Sequence, residues 1–137
     1  MSYTEIAEEL LENMILANKS QPYAKLYKAV HGEKFALQMI AMHNGSITPS
    51  EISRIAGTTP ARIAAELNNL EHKGLITREI DSSNRRRILV HLTPEGIKSA
   101  DEFHREVVQI AVELLSQLGE QDAREYVRIL RKLGVNK

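Results

Sequence analysis

The chain has 137 residues, 42% of them apolar and 26% charged, which suits one globular domain with a core of its own and argues against disorder. It contains no cysteine, excluding disulfides, thiolate metal sites, cysteine nucleophiles and thiol redox sensing. Lys/Arg and Asp/Glu number 18 each, so net charge exerts no overall pull toward nucleic acid. No run approaches the ~18 apolar residues of a membrane span. Met1 to Glu5 lacks the positive start and apolar block of a secretory signal, and a cytoplasmic protein with no membrane partner is expected.

From Tyr3 to about Lys19, Ile6, Leu10 and Met14 recur at four-residue spacing with glutamates between them, which predicts an amphipathic helix. Asn18 to Pro22 reads as a break, because a proline biases the residue before it away from helix. The next helix is predicted from about Glu33 to His43, stopped by Asn44-Gly45-Ser46 with Gly45 as a left-handed cap. Thr48-Pro49-Ser50-Glu51 is a helix start with a proline in the first turn and a capping box. Gly57 ends that short helix, and Thr59-Pro60 starts another whose Ile63, Leu67 and Leu70 form one apolar face as far as Lys73-Gly74.

Leu75 to Ile80 predicts a strand and Asp81 to Asn84 a turn. After Arg85-Arg86-Arg87, residues 88–92 predict a second strand with Ile88, Val90 and Leu92 on one face. Thr93-Pro94 opens a long helix carrying Phe103, Val107, Ala111, Leu114 and Leu118, with Val108, Val112 and Leu115 as a second apolar face. Gly119 ends it, and Asp122 to Leu133 forms a last amphipathic helix through Val127, Leu130 and Leu133. A helix that is apolar on two sides has to be covered on two sides.

Two short helices joined at Gly57-Thr58 and followed by a basic hairpin constitute a winged helix-turn-helix. In that arrangement the second helix enters the major groove of DNA. Its face opposite the core carries Ala61, Arg62, Ala65, Asn68 and Asn69. Arginine matches guanine bidentately, asparagine matches adenine, and alanine packs on thymine methyls. Thr59 at the cap and the free backbone N–H groups at both helix starts suit phosphate, and Thr48 and Lys73 are further expected DNA contacts. Arg85, Arg86 and Arg87 are expected to meet the negative potential of a minor groove, one of them bracing the wing through Asp81. From Glu51 to Lys98 there are eight Lys/Arg against six Asp/Glu, whereas the first nineteen residues hold four Glu and one Lys.

The run from Asp81 to Gly96, with its arginines, apolar strand and Leu92-Thr93-Pro94-Glu95-Gly96, resembles the wing of the MarR family of regulators. Leu70-Glu71-His72-Lys73-Gly74-Leu75-Ile76 resembles that family's recognition-helix exit, and helix order agrees over essentially the whole chain. Asn84 stands where the family usually has Asp, and Ala64-Ala65 where a Ser-Arg pair is frequent. The resemblance implies a mainly α fold with a small β-hairpin wing, a winged helix-turn-helix over residues 33–96. Dimerisation helices flank it at 1–32 and 97–137. It further implies a homodimer joined through Ile6, Leu10, Met14, Val107, Leu114, Leu118, Val127, Leu130 and Leu133. That dimer would sit on a pseudo-palindromic double-stranded operator as a repressor released by a small, often phenolic ligand.

Tyr23, Tyr27, Phe35 and Met39 lie near where such an effector would bind, although aromatic and methionine residues at this spacing also suit a core. A zinc sensor using His31, Glu33, His43 and His104 is an alternative of the same fold. Against it, no histidine pair has the i, i+4 spacing of a helical metal site. A winged helix serving only protein contacts is a second alternative. No phosphate loop, serine elbow or paired-carboxylate motif points to an enzyme, and neither cofactor nor metal is expected.

Overall fold

The structure is a computed structural model that describes residues 1–32, 34–43 and 47–135. In chain order its elements are α1 (Tyr3–Ala17), α2 (Gln21–His31), α3 (Phe35–Met42), α4 (Pro49–Ala56), α5 (Pro60–His72), β1 (Ile76–Asp81), β2 (Asn84–Leu92), α6 (Pro94–Leu118) and α7 (Glu120–Val135). They divide into two units, Ala29–Glu106 and the pair of segments Met1–Lys28 with Val107–Lys137. Among the described residues no helix is long and apolar enough to cross a membrane.

The 29–106 unit is built around one core. Ala36, Leu37, Met39 and Ile40 of α3, Ile52 of α4, and Ile63, Leu67 and Leu70 of α5 bury their side chains together with Ile47, Ile76, Val90 and Ala100. Both proline-led helices start as their sequences require. The Thr48 hydroxyl accepts the Glu51 N–H at 3.2 Å, and the Thr59 hydroxyl accepts the Arg62 N–H at 3.2 Å. The Thr48 box is only half closed, because the Glu51 carboxylate reaches Arg87 of β2 instead. Gly57, with φ +65°, ends α4 in the left-handed region that a Cβ disfavours.

β1 and β2 form an antiparallel hairpin in the register Ile76↔Leu92, Arg78↔Val90 and Ile80↔Ile88, irregular between Ile80 and Asp81. On the other edge of β2, Val90 donates to the Ile47 carbonyl at 3.0 Å, anchoring the base of the wing. The strands run further than the sequence predicts, and Arg85 to Arg87 belong to β2 rather than to a tip. Of the expected apolar face Val90 is buried and Leu92 half-buried, but Ile88 is exposed. Ile88 and its partner Ile80 lie on the part of the hairpin that extends past the core, so nothing covers them.

The Thr-Pro-Glu-Gly sequence ties the hairpin to α6. Thr93 donates its N–H to the Leu75 carbonyl at 3.0 Å and its hydroxyl to the Gly74 carbonyl at 2.6 Å. The same hydroxyl accepts the Gly96 N–H at 3.0 Å. A Cβ on Gly96 would lie 1.9 Å from the Leu75 carbonyl oxygen, an approach only glycine permits.

In the other unit, Ser2 and Glu5 close a reciprocal capping box at the start of α1. The expected break after α1 is confined to residues 18–20, and α2 then forms where no helix was predicted. Pro22 lies in its first turn, where the missing N–H would have no intrahelical partner. The Ser20 carbonyl accepts the Ala24 N–H at 3.0 Å, and the Ser20 hydroxyl donates to Gln117 at 3.3 Å. Gly119, φ +82°, separates α6 from α7. The helix stop expected at Gly45 lies outside the described residues.

Candidate nucleic-acid interface

With Ile63, Leu67 and Leu70 buried, α5 presents Ala61, Ala64, Ala65, Asn68, Asn69 and His72 to solvent. Small side chains dominate its first two turns, so an approaching surface could come close to the helix backbone there. Arg62 stands at the flank of this face and is engaged within the protein. Its Nη2 donates to the His31 carbonyl at 2.9 Å and its Nε pairs with Glu66 at 3.3 Å. Asn68 is engaged too: its Oδ1 accepts from Arg78 of β1, whose Nε lies 3.4 Å from Glu71. A guanidinium has no acceptor, so the Asn68 amide is left with donors only on its free side. Asn69 and Lys73 are exposed near the end of the helix.

Thr48, expected as a DNA contact, is only 8% exposed, because capping α4 places it against the core. Thr59 is exposed, its hydroxyl capping α5.

On the wing, Arg85 and Arg86 are exposed and form no ion pair among the described residues. Arg87 pairs with Glu51 at 3.0 Å, bracing the hairpin against the first turn of α4. The brace expected through Asp81 is thus made through Glu51. The Asp81 carboxylate accepts the Ser83 N–H at 2.9 Å and the Ser83 hydroxyl at 2.8 Å. Those two bonds, more than the distant charge of Arg87, hold it below the usual carboxylate range. Between the start of α4 and the wing lies a groove of about 440 Å³, lined by Pro49, Ser50, Arg86 and Ile88 among others. A second concave surface, about 610 Å³, runs between α4 and α5 past Ser50, Arg54, Pro60 and Ala64.

Of the four effector candidates, Met39 is a core residue, 6% exposed. Phe35 is half-buried and borders a cavity of about 40 Å³ with Val30, Ala56 and Ile63. That is room for a water or two and well below the ~300 Å³ at which ligand pockets begin. Tyr23 is half-buried and Tyr27 exposed, both in the other unit. Of the zinc candidates, Glu33 lies outside the described residues, and the ring of His43 meets the Met39 carbonyl at 2.8 Å. Among the described residues no three His, Asp or Glu side chains gather as a metal site requires.

The residues named for dimerisation are mostly open. Ile6, Leu10, Met14, Leu118, Val127, Leu130 and Leu133 are exposed, Leu133 by 69%, and Val107 is half-buried. Leu114 is an exception: it is buried within the single chain and leaves little surface for a partner. Sequence reasoning missed Glu51 and Arg78 as the residues that hold the wing, and His72 on the outer face of α5. Only the strict alternation of Arg78 with its strand neighbours hinted at an inward-turned charge.

Helix, tight turn, helix, hairpin and the exposed face of α5 define the class, a winged helix-turn-helix protein. Residues 33–87, the winged helix-turn-helix part of the chain, match the family model described as MarR family. It is 27% identical over 97 residues to a putative transcriptional regulatory protein for the hcr operon of Thauera aromatica, covering 71% of this chain and 58% of that protein. It is 29% identical over 102 residues to an HTH-type transcriptional repressor of Mycobacterium tuberculosis, covering 74% and 73%. The fold is that of Staphylococcus aureus MepR in its DNA complex, with TM-score 0.67, 23% identity, and 99% and 98% of the two chains covered. The alignments span between about half and two thirds of the length of the first three curated relatives, at 58%, 54% and 63%.

Proposed function

We propose that the protein is a DNA-binding transcriptional regulator, without enzymatic activity, that acts as a homodimer and represses from a pseudo-palindromic operator. The observation that carries this reading is the pairing of an exposed, small-residue face on α5 with two arginines on the adjoining wing, Arg85 and Arg86, that form no ion pair among the described residues. A helix with alanines outward suits close docking in a major groove. Asn68, Asn69 and Lys73 then supply polar contacts, and the free wing arginines suit a minor groove or phosphates. The reading is further supported by the likeness of the fold to S. aureus MepR, a protein whose structure is that of a DNA complex.

The homodimer is supported by the apolar side chains left open along α1, α6 and α7, and we assign it to the segments 1–32 and 97–137. Two winged regions related by a twofold axis would read half-sites about one helical turn apart. Release by a small, phenolic effector rests on the family resemblance, since the cavity at Phe35 has no room for one.

Selection from a random duplex library, followed by titration of the winner at several salt concentrations, tests the proposal. A palindromic winner bound by two protomers is expected, its log affinity falling with log salt at about −0.9 per phosphate contacted. Changing Arg85 and Arg86 together to Ala should weaken binding to all duplexes and flatten that slope. Absence of binding at low salt would overturn the DNA reading in favour of a protein-contact module.

A further inference from the structure

Arg62 occupies the position from which the sequence would have it read guanine, yet in the folded chain it is committed elsewhere. We infer that Arg62 is a positioning residue, not a base reader: a latch that joins the start of the recognition helix α5 to the end of α2. The inference rests on the proposed DNA-binding role of α5 and deepens it.

Three observations carry it. The Arg62 Nη2 donates to the carbonyl of His31, the last residue of α2, at 2.9 Å. Helix C-terminal carbonyls lack intrahelical partners and carry the negative end of the helix dipole, so a guanidinium is a well-matched cap there. The Arg62 Nε meets Glu66 one turn along α5 at 3.3 Å. The Glu66 side chain is only 15% exposed, and its Oε2 is buried with no hydrogen-bond partner among the described residues. Arg62 is therefore the one cation paired with a largely buried carboxylate, again among the described residues. Removing it would take the guanidinium from the end of α2 and strand that carboxylate, the more costly way to break an ion pair. Glu66 itself lies on the inward flank of α5 beside the cavity at Phe35, where it cannot reach a base.

A latch and a base reader behave differently under substitution. For a latch, R62A and E66A each lower operator affinity, by about tenfold for a 1.4 kcal/mol misplacement of the helix. The double variant is then no weaker than R62A, and the salt slope and every base preference stay as in the wild type. R62K, which still reaches the carbonyl and the carboxylate as a point charge, recovers most of the affinity. A base reader or phosphate contact gives the opposite pattern. R62A then relaxes preference at one base pair or lowers the slope by about one, while E66A is silent; that result would overturn the latch. Should the wild type bind no DNA, the DNA reading fails but the latch is still decided by hydrogen exchange on the free protein. R62A must then speed amide exchange at the start of α5 and leave the wing unchanged, and unchanged exchange at α5 would refute it. Circular dichroism of each variant separates these effects from global unfolding, and R62K serves if R62A does not fold.

Discussion

The two units of this chain treat their apolar residues in opposite ways. In residues 29–106, short helices and a hairpin converge on twelve buried side chains among the described residues, and the stripe predicted on α5 is covered within the chain. In the other unit, α1 has no buried residue, and Ile6, Leu10, Leu11, Met14 and Ile15 stay open along it, as do Val127, Ile129, Leu130 and Leu133 along α7. Apolar side chains left exposed in such number along two helices are uncommon on a monomer. One unit covers its apolar residues within the single chain and the other leaves them open, which is the physical basis for the proposed homodimer.

The sharpest way to break this contrast is to truncate one leucine in each unit. Leu67→Ala should cost about 2–5 kcal/mol in urea denaturation at any protein concentration, because its cavity lies in a closed core. Leu10→Ala should cost under about 1 kcal/mol in dilute solution, where it is exposed, and more as concentration rises and a partner covers it. Equal and concentration-independent losses would remove the distinction. Next in size, Leu10→Glu combined with Leu130→Glu should raise the dimer dissociation constant at least about 100-fold, near 2.7 kcal/mol, while the 29–106 unit keeps its fold. Light scattering reads the first effect, and amide shifts of α5 read the second.

Within the closed unit, Gly96→Ala should destabilise by about 1–3 kcal/mol, since its Cβ would meet the Leu75 carbonyl, a backbone atom, at 1.9 Å. A thermal melt no lower than wild type would mean that the Thr93 junction is softer than its hydrogen bonds indicate. The smallest effect concerns Asp81. Its folded carboxyl titrates below the ordinary value because Ser83 hydrogen-bonds to the charged form. That contribution is fully present above about pH 4 and is lost as pH falls through the lowered folded value. Asp81→Asn should abolish an acid-range shift of the Ser83 amide and remove that small contribution at neutral pH, leaving the fold intact. A shift that survives the substitution would assign it to another group.

Much of the winged unit was legible because its signals are local. Thr-Pro starts, glycine stops and a basic hairpin each act over a few residues, and α4, α5 and the hairpin form where those signals place them. The α2 helix was missed because Pro22 reads as a breaker until its place in the first turn is known. Within the interface, residue types were legible but their partners were not. Arg62, Asn68 and Arg87 all stand where the sequence put candidate DNA contacts, yet each is held by a group elsewhere in the fold.

The sequence by itself determined the winged helix-turn-helix, its core stripe and the identity of its basic wing, because periodicity, caps and turn residues act within a few positions. Only the tertiary structure decided which charges remain available. The His31 carbonyl that Arg62 reaches and the Glu51 carboxylate that holds Arg87 lie 31 and 36 residues away along the chain, and no local rule can choose among distant acceptors. A long polar side chain takes the nearest complementary group once packing has brought that group within about 3 Å.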